Sequence, residues 1–350
     1  MKKLSIILSL IFVLTLVGCT GKEPTPQDEP TPNQQQGEQT TQGASLEDYL
    51  DYQANTKYYY EGHGNEYASF TKYVDYKSDG KVQLRTNNGG TETVRVLGIE
   101  NGQLIQMLGQ GETYYRENLT NSPKLDYNGE VILKEPLQEG TTWTLPDNRT
   151  RTITGVDVEV TTPAGTYKAI EITTEGEYSK IRDYYAPKVG LVKSLFVGED
   201  DYEVSSVLSK LEKETPLTQS VTIYYPNIDD DKLRTTNVEF SFKTNDITKD
   251  ILAKELKKEA GDRGRLIGEN VKIQSLYLNQ DGRVYVDFSK ELVTEMNAGS
   301  GYEAMLLQSI VNTLGDYYGV SEVYLTIDNQ PYSSGHIEMK KGEFFKVTRD

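Results

Sequence analysis

Val156-Asp157-Val158-Glu159-Val160, the turn Pro163-Ala164-Gly165, and then Ala169-Ile170-Glu171-Ile172 form the stretch that sets the fold class. Apolar and polar residues alternate on both arms, so each arm presents one apolar face at the two-residue period of a strand. Outward from this hairpin, from Tyr67 to about Glu212, similar runs are punctuated by Asp79-Gly80, Asn87 to Gly90, Asn101-Gly102, Gln110-Gly111 and Asn128-Gly129. Such pairs tolerate the positive φ of tight hairpins. The spacing predicts an antiparallel meander closed into a curved sheet or half-barrel. Ahead of it, Leu46, Tyr49 and Leu50 at helical spacing, with Ser45 as cap, predict a short helix within Ser45 to Asn55.

Three phrases in this region carry a resemblance: Gly140-Thr141-Thr142-Trp143, Thr162 to Ala169, and Tyr184-Tyr185-Ala186-Pro187-Lys188-Val189-Gly190-Leu191-Val192. They resemble a β-rich module of bacterial envelope proteins in the style of LolA-like half-barrels. The resemblance implies a module that binds lipid or spaces another domain. It lies in turn and strand phrases that a fold requires, so no binding residue is carried over.

Around Glu214-Thr215-Pro216 the pattern changes from meander to mixed helix and strand, which places a domain boundary there. The following region opens with a strand at Val221-Thr222-Ile223-Tyr224-Tyr225-Pro226 and another near Val238 to Phe242. A helix is predicted from Thr248 to Ala260, capped by Thr248, stapled from Ile247 to Leu252 and stopped by Gly261. A hairpin joins Val271–Leu278 to Val284–Ser289 through Asp281-Gly282, with Val284, Val286 and Phe288 on one side. The longest helix is predicted from Gly301 to Tyr318, with Ser300 and Glu303 as a capping box and Leu306, Leu307, Ile310, Val311 and Leu314 as its apolar stripe. Gly319 stops it, Val323, Leu325 and Ile327 alternate on a strand, and a last strand is expected within His336 to Val347. The fold class is therefore α+β: an antiparallel β-meander or half-barrel, then a small α/β sandwich with two helices on one face of a sheet.

Residues 219–347 resemble the sporulation and spore germination domain of the GerM type. The phrases that carry it are Val221 to Tyr225, Val284-Tyr285-Val286-Asp287-Phe288-Ser289, Gln308-Ser309-Ile310-Val311-Asn312-Thr313-Leu314, Gly319-Val320-Ser321-Glu322-Val323, and Gly299-Ser300 before the helix. This chain departs from the two-copy sporulation members in having one such domain behind an unrelated β module. The resemblance implies assembly at a membrane, as in sporulation complexes or in lipoproteins that modulate a sensor kinase.

The N-terminal end supplies an address. Lys2-Lys3, the apolar and hydroxyl stretch from Leu4 to Leu16, and Leu16-Val17-Gly18-Cys19 read as a lipoprotein signal over 1–18. Cleavage before Cys19 leaves a thiol for a diacylglyceryl group, and two acyl chains anchor stably. Cys19 is the single cysteine, so disulfides and thiolate metal clusters are excluded. From 19 to 45 the chain is rich in Pro and Gln without an aromatic or large aliphatic residue, and reads as an unstructured tether. The domains expected are then 46–215 and 219–347. A formal net charge of −16 argues against nucleic acid as a partner.

The chemical inventory is thin. His63 and His336 are two loop histidines, and no HExxH, G-x-S-x-G, P-loop or dinucleotide fingerprint is present. Asp229-Asp230-Asp231 could offer oxygens to Ca²⁺ but lacks EF-hand spacing, and reads as a solvated loop. The 25 tyrosines include the doublets Tyr58-Tyr59, Tyr114-Tyr115, Tyr184-Tyr185, Tyr224-Tyr225 and Tyr317-Tyr318; on strands, one ring of each pair can enter the core while the other meets water. Asn312 falls in the apolar helix stripe and reads as a hydrogen-bonded core residue.

No catalytic residue, metal or cofactor is expected. The expectation is a lipid-anchored, extracytoplasmic, non-enzymatic module that contacts another envelope protein through the edge of its last strand, at Ile337 and Met339. The alternative is a β module that holds a lipid or glycan.

Overall fold

The computed structural model describes residues 43–259, 264–296 and 298–349, all within one compact unit. The expected leader, Cys19, the tether up to residue 42 and the helix stop at Gly261 lie outside the described residues.

After a single helical turn, α1 (Leu46–Leu50), shorter than the sequence suggests, the chain enters a twelve-stranded antiparallel sheet. Its first six strands are β1 (Lys57–His63), β2 (Phe70–Ser78), β3 (Lys81–Asn87), β4 (Glu92–Glu100), β5 (Gln103–Gln110) and β6 (Glu130–Lys134). The rest are β7 (Thr142–Thr144), β8 (Thr150–Thr162), β9 (Gly165–Glu175), β10 (Lys180–Ala186), β11 (Gly190–Val197) and β12 (Glu203–Glu212). First and last strands pair, β1 with β12, so two meanders fan out from a shared centre to β6 and β7 at the edges. The hairpin residues behave as expected: Asp79-Gly80 and Asn101-Gly102 take φ of +49°, +70°, +50° and +69°. The alternation over Val156 to Val160 is interrupted, because β8 bulges between Gly155 and Val158 and Asp157 turns to φ +58°.

Side chains, not a strand ladder, join the two edges into a near-barrel. The Trp143 indole N–H donates to the Val131 carbonyl at 3.1 Å. Arg151 on β8 donates to the same carbonyl and to the Glu130 carboxylate, both at 2.6 Å. Arg151→Ala is expected to lower stability by about 1.5–3 kcal/mol, the range for hydrogen bonds to charged groups, read as a lower urea midpoint. An unchanged midpoint would mean that the sheet holds its curl without this link.

Beyond the sheet, β13 (Leu217–Asn227) and β14 (Lys232–Phe242) form a separate two-stranded ribbon rather than joining the C-terminal sheet. Helix α2 (Thr248–Leu256) follows, then the hairpin β15 (Ile273–Leu278) and β16 (Val284–Phe288), the short α3 (Glu291–Thr294), and α4 (Ser300–Tyr318). From α4 the chain returns as β17 (Glu322–Ile327), parallel to β16, and ends with β18 (Gln330–Pro331) and β19 (Phe345–Lys346), both paired to β17. The expected strand over His336–Val347 is thus reduced to two residues. Leu306, Leu307, Ile310, Val311 and Leu314 are each at most 4% exposed, and pack with Val221, Ile223 and Phe240 of the ribbon and Val284, Val286 and Phe288 of the sheet. Because α4 touches both layers, its polar residues are buried too: Thr313 Oγ1 accepts the Tyr224 N–H, and Asn312 pairs with the backbone of Thr348. Gly319, at φ +69°, closes α4 in the left-handed conformation expected of its stop.

Two helix starts differ from the reading of the sequence. Thr248 does not cap α2; Ile247 holds the cap position and is 53% exposed, so no staple forms, and the Thr248 hydroxyl donates at 2.5 Å to the Arg116 carbonyl. Likewise Gly299, not Ser300, caps α4, and Glu303 is drawn away from the helix end. In both cases a tertiary partner outcompetes the local cap.

Candidate interaction face

On β15 to β17 the strand period divides the side chains. Val284, Val286, Phe288, Val323 and Leu325 face inward and are at most 2% exposed. Tyr277, Tyr285 and Tyr324 are register partners across the three strands and so share the opposite face. Tyr277 and Tyr285 stack at 5.6 Å, Tyr285 and Tyr324 lie at 5.0 Å, and Phe344 extends the row 5.4 Å beyond Tyr324. Arg283 sits 4.3 Å from the Phe344 ring centre, held by the Glu322 carboxylate at 2.6 Å and by Asp281 at 3.4 Å. The Tyr285 hydroxyl donates to Asp281 at 3.0 Å; lost solvation and that carboxylate push its phenol pKa up. A half-exposed aromatic row with one guanidinium is an arrangement suited to recognition, since Tyr and Arg supply large rigid contact area.

A buried clamp flanks this sheet. The Glu303 carboxylate, 3% exposed, accepts hydrogen bonds from the Tyr332 hydroxyl at 2.8 Å and the Ser334 hydroxyl at 2.5 Å, and lies 2.8 Å from His336 Nδ1. Desolvation pushes its pKa up, but the bonds from Ser334, His336 and Tyr332 outweigh it, and the net shift is downward. Ser334 donates to the carboxylate and not to the imidazole, so the trio lacks the order in which a base activates a hydroxyl nucleophile. It fixes the 332–337 turn onto the first turn of α4.

A second polar cluster lies where the twelve-stranded sheet meets the ribbon and α2. Arg116 is fully buried between the rings of Tyr76 at 4.2 Å and Phe242 at 4.9 Å. Its guanidinium donates to the carbonyls of Asp75 at 2.6 Å and Lys243 at 2.9 Å, to the Tyr76 hydroxyl at 3.1 Å and to the Asp246 carbonyl. Asp75, also fully buried, takes Arg85 at 3.0 Å. Beside it opens a groove of about 480 Å³ lined by Tyr76, Arg116, Glu117, Ile247 and Tyr318, where burial pushes Glu117 up to about 7. Sequence reading missed this cluster; the available signal was a charge, Asp75, inside the otherwise apolar and aromatic run Tyr73 to Tyr76.

The residues singled out from sequence fall as follows. Ile337 and Met339 are half-buried against the C-terminal core, off any strand; Met339 N–H donates to the Tyr332 carbonyl and Ser334 N–H to the Ile337 carbonyl, so the turn bonds to itself rather than offering an edge. Asp229 to Asp231 form the turn between β13 and β14, with Asp231 at φ +53° and Asp230 accepting from Asn227 and the Lys232 N–H. Among the described residues, no group of three or more His, Cys, Asp or Glu side chains converges as metal ligands. The doublets divide inside from outside at Tyr58-Tyr59, Tyr114-Tyr115 and Tyr224-Tyr225, whereas a bulge between Tyr184 and Tyr185 leaves both half-buried.

Residues 222–333 match the family model described as "Germane: Sporulation and spore germination". A Germane domain therefore occupies this segment. It contains the tyrosine row, Glu303 and the Phe242, Lys243 and Asp246 side of the Arg116 cluster, while Phe344, His336, Arg116 itself and Asp75 lie outside the match. The tandem GerMN domains of the sporulation protein GerM from Bacillus subtilis are 27% identical, with 38% of this chain and 45% of that chain covered and a TM-score of 0.27. An exported protein with a YmcC-like fold from Bacteroides fragilis aligns at 13% identity over 47% of this chain and 99% of its own, with a TM-score of 0.29. A lipoprotein from Clostridium perfringens aligns at 17% identity over 37% of this chain and 87% of its own, with a TM-score of 0.25. No curated protein matches the chain.

Proposed function

We propose that this chain is a membrane-anchored, extracytoplasmic lipoprotein whose Germane domain acts as a non-enzymatic interaction module for another envelope protein, through the outer face of its sheet. The anchor rests on the Leu16 to Cys19 lipobox, and no helix among the described residues is long and apolar enough to cross a membrane. The observation that carries the contact is the row Tyr277, Tyr285, Tyr324 and Phe344 with Arg283. The sequence placed a docking edge at Ile337 and Met339 instead. The turn that holds them is already bonded to itself, so the contact is assigned to the aromatic face.

A photo-crosslinking residue at position 277 in the lipidated full-length protein, in intact cells, tests this. A discrete adduct is expected at 277, at least five-fold weaker when Tyr285 and Tyr324 are both changed to Ser, and absent from a probe at Tyr178 on the β meander. Equal labelling from 277 and 178, or labelling indifferent to the double substitution, would refute the assignment.

A further inference from the structure

The inner face of the near-barrel carries a lysine that the fold leaves without a polar partner. Lys72 on β2 is 8% exposed, and its ammonium lies 5.1 Å from the Tyr60 ring centre, 5.5 Å from Tyr52 and 5.9 Å from Phe70. The phenols do not hydrogen-bond it: Tyr60 donates to the Leu191 carbonyl at 2.7 Å, and Tyr52 bonds to the same residue. No hydrogen-bond acceptor reaches Lys72 Nζ among the described residues. Cation–π contacts offset only part of the desolvation of an ammonium.

The neighbours of Lys72 are similarly unsatisfied. Its register partner on β3 is Thr86, whose hydroxyl is buried and has no hydrogen-bond partner. Arg95, exposed on β4, is close enough to act electrostatically on both Lys72 and Tyr52. Across the sheet, on β10, Asp183 accepts the Ser194 hydroxyl at 2.6 Å, and the Tyr185 hydroxyl has no hydrogen-bond partner among the described residues. Asp183 and Tyr185 keep part of their surface open, yet the protein desolvates both strongly, pushing both pKa values up. Side chains that line a hollow show this combination; side chains in a packed core do not. With Lys72 protonated, Lys72, Arg95 and Arg151 stand against Asp183 and Glu130, one positive charge in excess, and the rings of Tyr52, Tyr60 and Phe70 border the site.

We propose that this hollow is a binding site for an organic monocarboxylate, with the carboxylate on Lys72, Arg95 and Thr86 and the apolar body on the Tyr52, Tyr60 and Phe70 rings. One negative charge matches the excess, a carboxylate accepts from an ammonium, a guanidinium and a hydroxyl at once, and an apolar body suits the rings. Burial, reinforced by Arg95 and opposed by Asp183, pushes Lys72 down to about 7 in the empty site. A bound carboxylate reverses that shift, so binding takes up a proton near neutral pH.

The test is calorimetric titration of the full-length protein with sodium octanoate and sodium benzoate, with 1-octanol and inorganic phosphate as controls. Saturable binding of a carboxylate is expected, weakened at least ten-fold by Lys72→Met and several-fold by Thr86→Val, with proton uptake at pH 7.5 read from buffers of different ionisation enthalpy. Lys72→Met is expected to melt no lower than the parent without ligand, because it removes a desolvated charge and keeps the volume. No saturable carboxylate binding, or binding unchanged in Lys72→Met, overturns the proposal. So does octanol binding as tightly, which would show an apolar pocket without an anion site, or phosphate binding with the same loss, which would show a site for small inorganic anions. A large fall in the melting temperature of unliganded Lys72→Met would make the lysine structural and also overturn it.

Discussion

Arg116→Met is expected to lower the stability of the chain by about 3–5 kcal/mol, the range for removing one partner of a buried, hydrogen-bonded charge cluster. Methionine roughly fills the volume between Tyr76 and Phe242, so the loss would be polar rather than a cavity effect. The carbonyls of Asp75, Lys243 and Asp246 would each lose the guanidinium and keep a second donor, from the Asn245 N–H, the Asp246 N–H and the Tyr76 hydroxyl, while the buried Asp75 carboxylate would keep only Arg85 and Gln83. Because Arg116 joins the β5–β6 connection to the β14–α2 loop, the effect should be local before it is global. Hydrogen exchange should show amides near Lys243 to Thr248 losing protection while the ladder between β8 and β9 keeps it. Arg116→Lys should recover only part of the loss, since an ammonium lacks the planar fork that spans these acceptors. A loss below about 1 kcal/mol for Met would mean that the apolar contacts alone hold the junction.

Glu303→Ala is the second large effect, expected at about 2–4 kcal/mol because the Tyr332 and Ser334 hydroxyls would be left without their acceptor in a buried setting. Its pH dependence follows from the sign of the shift. The folded-state pKa of Glu303 lies below the ordinary glutamate value of 4.5, so the ionised form is favoured by folding. The stabilisation is therefore fully present above about pH 4.5 and is lost as pH falls through the lowered folded value. Chemical denaturation at pH 7, 5 and 3.5 should show the gap between parent and Glu303→Ala constant at the first two and narrower at the third. Glu303→Gln, which keeps an acceptor oxygen, should fall between them. A gap that grows on acidification would mean that a neighbour, not Glu303, carries the titration.

Local pattern made much of this architecture legible. Asp79-Gly80 and Asn101-Gly102 mark their hairpins because a backbone with positive φ selects its residues whatever surrounds it. The Leu306 to Leu314 stripe gives α4, and the alternation of Val284, Val286 and Phe288 gives the inward face of β16, because each period is fixed within one element. The same rule orients the strand doublets Tyr58-Tyr59 and Tyr224-Tyr225, and fails at Tyr184-Tyr185, where a bulge shifts the register. The Germane segment was recognisable for the same reason, its phrases being strand, turn and helix phrases in a fixed order.

Where a side chain had several possible partners, sequence chose the nearest and the fold chose another. Ser300 and Glu303 look like a capping box, yet Glu303 turns to Tyr332, Ser334 and His336, which place three donors on it inside the protein, where a hydrogen bond is stronger than at a solvated helix end. Thr248 leaves its helix end for a carbonyl 132 residues away in the chain. The Tyr277, Tyr285 and Tyr324 row required the parallel register of β16 on β17, which no hairpin turn specifies. What the sequence by itself determined was the kind, order and inward face of most elements, since those follow from periods and turn residues read along the chain. The burial of Arg116, the clamp on Glu303, the alignment of the tyrosines and the unpartnered ammonium of Lys72 were decided only by tertiary structure, because each depends on segments far apart in sequence that only the fold brings side by side.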